Sequence, residues 1–463
     1  MRLTLLITCC LFLGQSIALS AEGDFTLSGY LKNEIALREE GLNSDLAKLK
    51  NIVQLAGEYK INGDDLVFFT KAQYAYDAMY DLRDQYDRGQ DWMGHTQRTY
   101  WLRDCYLDYT QGPWFLRLGK QQVAWGQADG ITVLDRVNPV DLSEYWLQDF
   151  VDMRIPLWMA NINYSPKLNA NLQVLIIPDF EESTSASLYA PFTTYSYIRY
   201  EDWRKAQRDV DQNVYYPAKR FENSTFALQW SDMIGDLGYT INYLYGYYYS
   251  ARNSTLFVSG NPFGGPASVW RVNRSFKRWS MYGASFNKTF TNPGPLQGIT
   301  LRGDWAFYNN EPMYWGDPLI ASSSGIKRWD NIFWLLGADK YVVTNWLVSF
   351  QFGQYILQHS KPGATTSQRN YIFNPFTYGA QDPVENIFSL KISTDFLNER
   401  LKPEILWSFT DDNQGRVSPK VNYEIRDNLW LTLGVHYFYG SMMDSNGQYR
   451  DQSQVYSHIK LTF

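Results

Sequence analysis

The chain has 463 residues, a formal net charge of −6 and 17% aromatic side chains, including 35 Tyr and 17 Trp, although its overall hydropathy is negative. The mild acidity argues against a nucleic-acid partner, because proteins that bind the phosphate backbone carry clustered positive charge. Four dispersed histidines and a single cysteine beyond residue 20 offer neither metal-ligand spacing nor an internal disulfide. We therefore expect no metal and no other cofactor.

The first twenty residues have the form of an export signal. Met1-Arg2 is a short basic start, an apolar run extends from Leu3 to Leu13, and Ala18-Leu19-Ser20 fits a cleavage site. The apolar run is too short to span a bilayer as a helix. We expect residues 1–20 to be removed and residues 21–463 to form one exported domain.

Short alternating segments occupy the rest of the chain, with Tyr and Trp near their ends, as in the aromatic girdles of outer-membrane barrels. In the first segment, for example, Phe25, Leu27, Leu31 and Ile35 share one face. The eighteen predicted strands are Phe25–Leu37, Leu49–Ile61, Asp65–Asp77, Thr99–Tyr109, Trp114–Trp125, Trp158–Tyr164, Asn171–Ile177, Thr225–Ser231, Gly238–Tyr249, Arg278–Phe290, Gly298–Tyr308, Asp330–Tyr341, Trp346–Leu357, Asn386–Asp395, Leu401–Thr410, Val417–Ile425, Leu429–Tyr439 and Gln454–Phe463.

The connections between these segments alternate in length. Asn62-Gly63-Asp64 and Arg426–Asn428 are tight turns, whereas Gly126–Leu157 and Pro178–Ser224 are long. Bacterial outer-membrane barrels have this asymmetry, with short periplasmic turns and long outer loops. We therefore predict a closed antiparallel transmembrane β-barrel, all-β, of about 16–18 strands, in the outer membrane of a Gram-negative bacterium. A missed hairpin would change the count by two.

The last predicted strand ends in an aromatic residue, Phe463. A terminal strand of this kind is similar to the signal that the barrel-assembly machinery reads. We expect Phe463 to be that signal, and the machinery and the lipid bilayer to be partners. The alternative is an ordinary strand that happens to end in Phe.

The stretch from Trp114 to Arg154 departs from simple alternation. It begins as a strand that runs to Trp125 and then loses the pattern, and Asn138 and Pro139 predict a helix start there, since these residues suit the N-cap and the first turn. We predict that the loop after Trp125 folds into the barrel lumen and narrows it. The alternative is a loop that caps the barrel from outside.

Charged side chains on the inward faces of the strands and in this loop are candidates for a constriction. An inward-facing charge requires water or a partner charge. The mixture of both signs predicts no strong preference for anions or cations. The wall candidates are Asp104, Asp108, Arg117, Gln121, Arg302 and Asp304, and the loop candidates are Asp129, Asp135, Arg136, Asp141 and Glu144.

The sequence LRLGKQQVAWG, followed by VNPVD and RIPLW, resembles an uncharacterised family of Gram-negative outer-membrane barrels known only as a domain of unknown function. The motif residues are Gly119, Lys120, Trp125, Gly126, Asn138 and Pro139, and the close match runs roughly from Arg103 to Tyr164. Lys120 replaces a commoner Arg and falls on the lipid-facing side of the alternation. The Gly-Lys-Gln strand is more loosely similar to one in alginate-export and sugar-porin barrels.

The resemblance implies transport without naming a substrate. We expect a porin-like channel for selective diffusion or export of a small solute, as a monomer or a trimer. An enzyme is not expected, because no nucleophile is spaced with His436 or His458 and an acid. The alternative is a barrel scaffold or sheath for a partner protein in an envelope export or electron-transfer complex.

Overall fold

The computed structural model describes residues 25–40, 43–82, 101–186, 190–193, 209–250, 252–259, 269–315, 325–358, 373–374, 379–380, 383–442 and 446–463. The expected export signal, residues 1–20, lies outside these ranges. Among the described residues no helix is long and apolar enough to cross a membrane.

Eighteen antiparallel strands form one sheet that closes on itself. In chain order they are β1 Phe25–Glu40, β2 Asn43–Asn62, β3 Leu66–Asp77, β4 Leu102–Gln111, β5 Trp114–Gln121, β6 Leu157–Lys167, β7 Ala170–Ile177, β8 Thr225–Ile234, β9 Leu237–Tyr247, β10 Arg278–Thr289, β11 Ile299–Trp315, β12 Gly325–Val343, β13 Trp346–Leu357, β14 Val384–Ser393, β15 Leu401–Thr410, β16 Gly415–Arg426, β17 Leu429–Tyr439 and β18 Gln454–Thr462. Each strand pairs with the next in the chain, and β18 pairs with β1 from Tyr30↔Thr462 to Arg38↔Gln454.

The remaining described elements are short and lie between the barrel strands. They are the α-helices Met79–Leu82 and Phe150–Met153, the 3₁₀ helices Phe221–Asn223 and Gly447–Gln452, the three-stranded sheet of Asp209–Tyr215, Arg252–Ser259 and Val269–Ser275, and the two-residue pairings Asp141–Leu142 with Thr184–Ser185 and Phe373–Asn374 with Gly379–Ala380.

The wall alternates between an apolar exterior and a polar interior, as the period of two in a strand requires. On β2, Val53 and Leu55 point outward and are 40% and 45% exposed, whereas Lys50 and Ile52 point inward and are buried. The outward side chains form the surface that faces lipid.

Each predicted strand overlaps one observed strand, so both the fold class and the upper value of the predicted strand count are confirmed. Both described chain ends and short connections such as 344–345 lie at one end of the barrel, called here the turn end; the opposite end is the loop end. One connection differs from the prediction, because β1 and β2 extend until only residues 41–42 separate them at the loop end.

The segment between β5 and β6, residues 122–156, is called here the lumen loop. The predicted strand to Trp125 is too long, because the wall strand ends at Gln121 and the chain then turns inward. The helix start predicted at Asn138 and Pro139 is also wrong, since the loop's α-helix is the single turn Phe150–Met153. Asn138 makes tertiary hydrogen bonds instead of capping a helix.

An apolar core holds the first half of the lumen loop against the inner wall. Val123, Trp125, Val133, Leu134 and Val137 of the loop are all buried in it. The wall contributes Leu157, Met159, Leu175, Ile177, Ala227, Leu244, Trp279, Met281, Ala306, Tyr308, Phe333 and Leu335, which come from β6 to β12. Burial of this much apolar surface fixes the loop inside the barrel.

Candidate functional site

Asn138 closes the base of the lumen loop. Its side-chain oxygen accepts a hydrogen bond from the Val123 amide at 2.8 Å, and its Nδ2 donates to the Ile155 carbonyl at 2.9 Å and to the Gln121 carbonyl at 3.4 Å. The Ile155 amide donates to the Pro139 carbonyl at 2.8 Å. The two points where the loop leaves and rejoins the wall are therefore held together by one buried amide.

Gly126 is the point at which the loop turns toward the opposite wall. Its φ is +97°, and a Cβ at this position would lie 2.7 Å from Oδ2 of Asp304. The Asp304 carboxylate accepts hydrogen bonds from the amides of Gln127 and Ala128, at 2.9–3.1 Å. Only glycine combines this backbone conformation with so close an approach of the carboxylate.

The tip of the lumen loop, at Asp129, is fastened to the inner faces of β11 and β13. Asp129 pairs with Arg302 at 2.8 Å, and Gln351 binds the Asp129 amide and carbonyl at 3.0 and 2.8 Å. Arg302 and Gln351 lie three and five residues into strands that start at the turn end. At about 3.3 Å per residue, the tip reaches to within roughly 10–17 Å of that end along the wall.

The second half of the loop is fastened to the opposite side of the barrel. Glu144 forms ion pairs with Lys48 and with Lys50, the latter at 2.9 Å, and Lys48 also contacts Glu34 of β1 at 3.2 Å. Burial alone would raise the pKa of Glu144, but Lys48 and Lys50 outweigh it and hold that pKa well below its ordinary 4.5. Glu144 is therefore an anion inside the lumen.

Two arginines of the wall, Arg103, which is buried, and Arg416, which is half-buried, hold the backbone around the loop's helix. Arg103 of β4 donates to three carbonyls within residues 151–154, at 2.8–3.1 Å. Arg416 of β16 donates to the Trp146 carbonyl at 2.5 Å. The loop thus contacts β2, β4, β11, β13 and β16, which lie on different sides of the lumen.

The other acidic loop candidates stabilise the loop itself. Arg154 donates to Oδ2 of Asp135 through two nitrogens, at 2.6 and 2.8 Å. Oδ1 of Asp141 accepts from the Ser143 amide at 2.9 Å and from the Thr184 hydroxyl at 2.7 Å. The remaining loop candidate, Arg136, donates from Nη2 to the Tyr308 hydroxyl at 3.4 Å, and no carboxylate among the described residues forms an ion pair with it.

The wall candidates on β4 and β5 pair with neighbouring strands rather than with the loop. Lys71 and Asp104 form an ion pair at 2.7 Å. Arg117 binds both oxygens of Asp108 at 2.7 and 2.8 Å and lies 3.8 Å from the centre of the Tyr106 ring. Both pairs bridge adjacent strands of the wall.

Gln121 and Trp125 join a chain of amide side chains on the inner wall. Gln121 is buried and accepts from Nδ2 of Asn161 at 3.1 Å. Nε1 of Trp125 donates to Gln173 at 2.9 Å, and Gln173 donates to Asn161 at 3.1 Å. The amides connect the start of the lumen loop to β6 and β7.

Gly119 and Lys120 lie directly before Gln121, the last residue of β5. Gly119 has φ +140°, and a Cβ there would lie 2.2 Å from the Cys105 carbonyl oxygen, so the strand pair admits only glycine. Lys120 pairs across the strands with Trp158, which is 47% exposed on the outer face. The location of Lys120 thus follows the predicted alternation.

A family described as "Protein of unknown function (DUF1302)" matches residues 39–463. The chain belongs to this family. The resemblance seen in the Trp114–Arg154 stretch is therefore confirmed and extends over most of the chain. No curated protein matches the sequence.

Solved structures of similar fold are outer-membrane proteins of low sequence identity to this DUF1302 chain. OccAB3 of Acinetobacter baumannii is 13% identical, with a TM-score of 0.52 and coverage of 95% of this chain and 99% of its own. OccAB4 of the same organism is 10% identical (TM-score 0.51, coverage 95% and 97%). The outer membrane protein opdK of Pseudomonas aeruginosa is 8% identical (0.52, 95% and 98%).

The predicted location of the DUF1302 chain is confirmed by this architecture. A closed barrel with an apolar exterior satisfies every strand hydrogen bond within lipid, which is the solution that outer membranes use. Contact with the lipid bilayer follows from the exposed outward side chains.

Sequence reasoning missed several residues that hold the lumen loop of this DUF1302 protein: Lys48, Lys50, Arg103, Gln351 and Arg416. The alternation of β2 does place Lys48 and Lys50 on the face opposite Leu49 and Val53, so their inward direction was detectable. Their partner was not, because Glu144 lies more than ninety positions away in the chain.

Proposed function

We propose that this DUF1302 protein is a porin-like outer-membrane channel in which the lumen loop is the constriction. One observation carries the proposal. The loop is fastened to β11 through Asp304 and to β2 through Lys48 and Lys50, and these strands are nine positions apart in an eighteen-stranded barrel. A segment that crosses the full width of the lumen divides the space available to a solute.

The proposed channel discriminates by size and polarity more than by net charge. On the wall, Lys71 is paired with Asp104 and Arg117 with Asp108, so neither sign is left in excess there. A channel with strong ion preference instead needs a cluster of one sign. The proposed transport is passive diffusion of a small solute, and these paired charges provide its polar lining.

The same proposal covers the remaining expected properties. The barrel-assembly machinery reads Phe463, the protein works without a catalytic step, and a single barrel contains a complete pore whether it is a monomer or part of a trimer. The tight support of the loop by both halves of the wall favours a channel over a sheath, since a sheath needs an empty lumen for its partner.

The test is single-channel conductance of the refolded full chain in a planar bilayer, beside a variant that lacks Ala128–Phe150. The deletion removes the attachments of Asp129 and Glu144 and leaves the eighteen strands intact. We expect discrete conducting steps that enlarge on deletion, and faster entry of larger sugars into liposomes. The control for folding is that the deletion variant resists unfolding in cold detergent as well as the full chain does.

Steps of equal size in both proteins would show that the loop is not the constriction. An absence of conductance in both proteins would overturn the channel proposal and would favour a scaffold that holds a partner protein.

A further inference from the structure

Arg278, the first residue of β10, points away from the lumen at the loop end of the barrel. The next residue, Trp279, is buried in the core around the lumen loop, and side chains alternate along a strand, so Arg278 lies on the outer face. Its cross-strand partner Tyr247 and the exposed Tyr245 lie on the same face. Tyrosines at this height form the aromatic girdle of a membrane barrel, so Arg278 is a cation at the outer boundary of the lipid.

Two rings and two carbonyls hold the Arg278 guanidinium in place. Its central carbon lies 4.5 Å from the centre of the Tyr247 ring and 5.2 Å from that of Tyr245. Its Nη2 donates to the Glu222 carbonyl at 3.1 Å and its Nη1 to the Ser224 carbonyl at 3.4 Å. No carboxylate among the described residues forms an ion pair with it. A guanidinium has five N–H donors, and this one is half-buried, so donors remain for a ligand on the lipid side.

Arg220 supplies a second cation beside this site. It directly precedes the 3₁₀ helix whose backbone binds the first guanidinium, and its described ion pair is with exposed Glu222 at 3.7 Å. An exposed pair of this length contributes little stability, so a phosphate can replace it. The adjacent Lys219 is already bound by Asp179 and Glu181, at 2.9 and 2.7 Å. The two arginines are therefore the cations that a ligand can use here.

An apolar surface begins directly below these cations. Phe221 is 68% exposed and packs on Phe226 of β8 with a centroid distance of 6.3 Å. Further toward the turn end, Leu228 of β8 and Ile241 of β9 are exposed on the same outer face. A ligand that has a phosphate above and hydrocarbon below would match both parts of this surface.

We propose that Arg278 and Arg220 bind a phosphate group of lipid A, the phosphorylated glycolipid of the outer leaflet. The loop end faces that leaflet, because the short turns of outer-membrane barrels are periplasmic. The planar guanidinium binds phosphate oxygens through parallel hydrogen bonds, and the acyl chains lie along the exposed apolar residues of β8 and β9. The surface is on the outside of the barrel, so the inference is independent of the proposed channel.

Glu222 opposes this binding and gives the proposal a prediction of opposite sign. Its exposed carboxylate pairs with Arg220 and would repel a phosphate at the same position. Only its backbone carbonyl accepts from Arg278, so Glu222→Gln keeps that hydrogen bond and removes the charge. This variant should bind the phosphorylated lipid more tightly than the native chain.

The test is titration of the full chain, refolded in detergent, with bisphosphorylated lipid A, followed by native mass spectrometry. Dephosphorylated lipid A and phosphatidylglycerol are the comparison lipids. The variants are Arg278→Gln, Arg278→Lys, Arg220→Gln, Glu222→Gln and Lys288→Gln. Lys288 is the matched control, since it lies ten residues further along β10 on the same face, near the turn end, where it contacts the Phe290 ring.

We expect saturable lipid A binding by the native chain, weakened at least about tenfold in Arg278→Gln. Arg278→Lys should lose less, because lysine keeps the charge but lacks the planar fork. Arg220→Gln should also weaken binding, and it leaves the contacts of Arg278 untouched, so it decides the matter if Arg278→Gln fails to fold. Lys288→Gln should bind as the native chain does, and Glu222→Gln more tightly.

Three results would overturn the proposal. Native binding by both Arg278→Gln and Arg220→Gln would show that the arginines do not hold the lipid. Equal binding of dephosphorylated lipid A would show that no phosphate is recognised. Equally tight, arginine-dependent binding of phosphatidylglycerol would replace the glycolipid by anionic lipids in general. Channel conductance enters none of these outcomes, so the two proposals fail separately.

Discussion

Gly29 and Phe463 exchange backbone hydrogen bonds of 2.9 and 3.0 Å across the seam where the barrel closes. A Cβ on residue 29 would lie 2.9 Å from Cζ of Phe463 and 2.3 Å from the Gln54 carbonyl oxygen. The terminal aromatic ring therefore occupies the space above a glycine of the first strand. Phe463 contributes to closure of the folded barrel in addition to its proposed role as an assembly signal.

Substitution of Gly29 by Ala should destabilise the closed barrel by about 1–3 kcal/mol, because the backbone of β2 and the Phe463 ring must both move. The measurement is the urea midpoint of the refolded protein. Gly57→Ala is the matched control, since its added Cβ would meet side chains alone and none closer than the Phe25 ring at 3.3 Å. Equal midpoints for the two variants would contradict the packing role of the seam.

Substitution of Phe463 by Ala separates packing from signalling. If the ring only packs on Gly29, the variant should be less stable after refolding in detergent but should still assemble in cells. If Phe463 is also the assembly signal, the yield in the outer membrane should fall by more than the stability loss explains. If Phe463→Ala has the yield and the stability of the native protein, neither the packing role nor the signalling role of Phe463 holds.

Substitution of Gly126 by Ala should displace the start of the lumen loop. The added Cβ would meet the Asp304 carboxylate that binds the amides of Gln127 and Ala128, and φ of +97° is strained for alanine. We expect larger or noisier conductance steps in a planar bilayer. Gly130→Ala is the control. Gly130 has φ +73° and no atom within 4 Å of an added Cβ, so this variant shares only the backbone strain of about 1–2 kcal/mol. Identical traces from both variants would argue against a role for the Asp304 contact.

Substitution of Glu144 by Gln should release the second half of the lumen loop from β2. Removal of one member of a buried ion pair leaves Lys48 and Lys50 without their shared partner and destabilises the attachment by about 3–5 kcal/mol. Open-channel noise should therefore increase at neutral pH. Asp64→Asn, which breaks the exposed pair with Lys60, should leave the traces unchanged.

The pH dependence of this attachment follows from the lowered pKa of Glu144. A carboxylate whose pKa is depressed in the folded state contributes stability above its ordinary value of 4.5 and loses it only as the pH falls through the lower, folded-state value. The open-channel noise of the native protein should thus stay low from pH 7 down to pH 4.5. Noise that rises to the level of Glu144→Gln within that interval would contradict the assignment.

Substitution of Asn138 by Ala should loosen the base of the lumen loop. The Val123 amide and the Ile155 carbonyl would both lose a buried partner, at about 1–3 kcal/mol for each unsatisfied group. Hydrogen exchange of peptides that cover residues 122–156 should accelerate. Asn163→Ala is a suitable comparison, because the described hydrogen bonds of the Asn163 side chain are with the side chains of Asn161 and Asn171. Unaltered exchange in Asn138→Ala would show that the apolar core alone holds the loop.

The barrel itself could be predicted from the sequence. Val53 and Leu55 face lipid while Lys50 and Ile52 face inward, and this alternation is visible within a short window of such a strand. Lipid on one side and water or paired charges on the other impose a period of two on every strand. For the same reason, the number of strands and the position of nearly every strand could be predicted from the alternation within short segments.

The same local reasoning failed at Asn138. A polar residue before proline has the same pattern whether it caps a helix or bonds to distant backbone groups. Only the folded chain brings Val123 and Ile155 to opposite sides of its amide. The interpretation of Trp125 as a strand residue failed similarly, because the inward turn depends on the contact of Gly126 with Asp304.

The course of the lumen loop was therefore decided by tertiary structure. Many of its attachments join residues far apart in the chain, such as Lys50 with Glu144 at 94 positions, Gln351 with Asp129 at 222 and Arg416 with Trp146 at 270. Alternation within a strand reports which face a side chain takes but not which distant group meets it, since partner choice depends on how eighteen strands close around the lumen. The sequence by itself determined the wall and its polarity, and the closed barrel decided what crosses its interior.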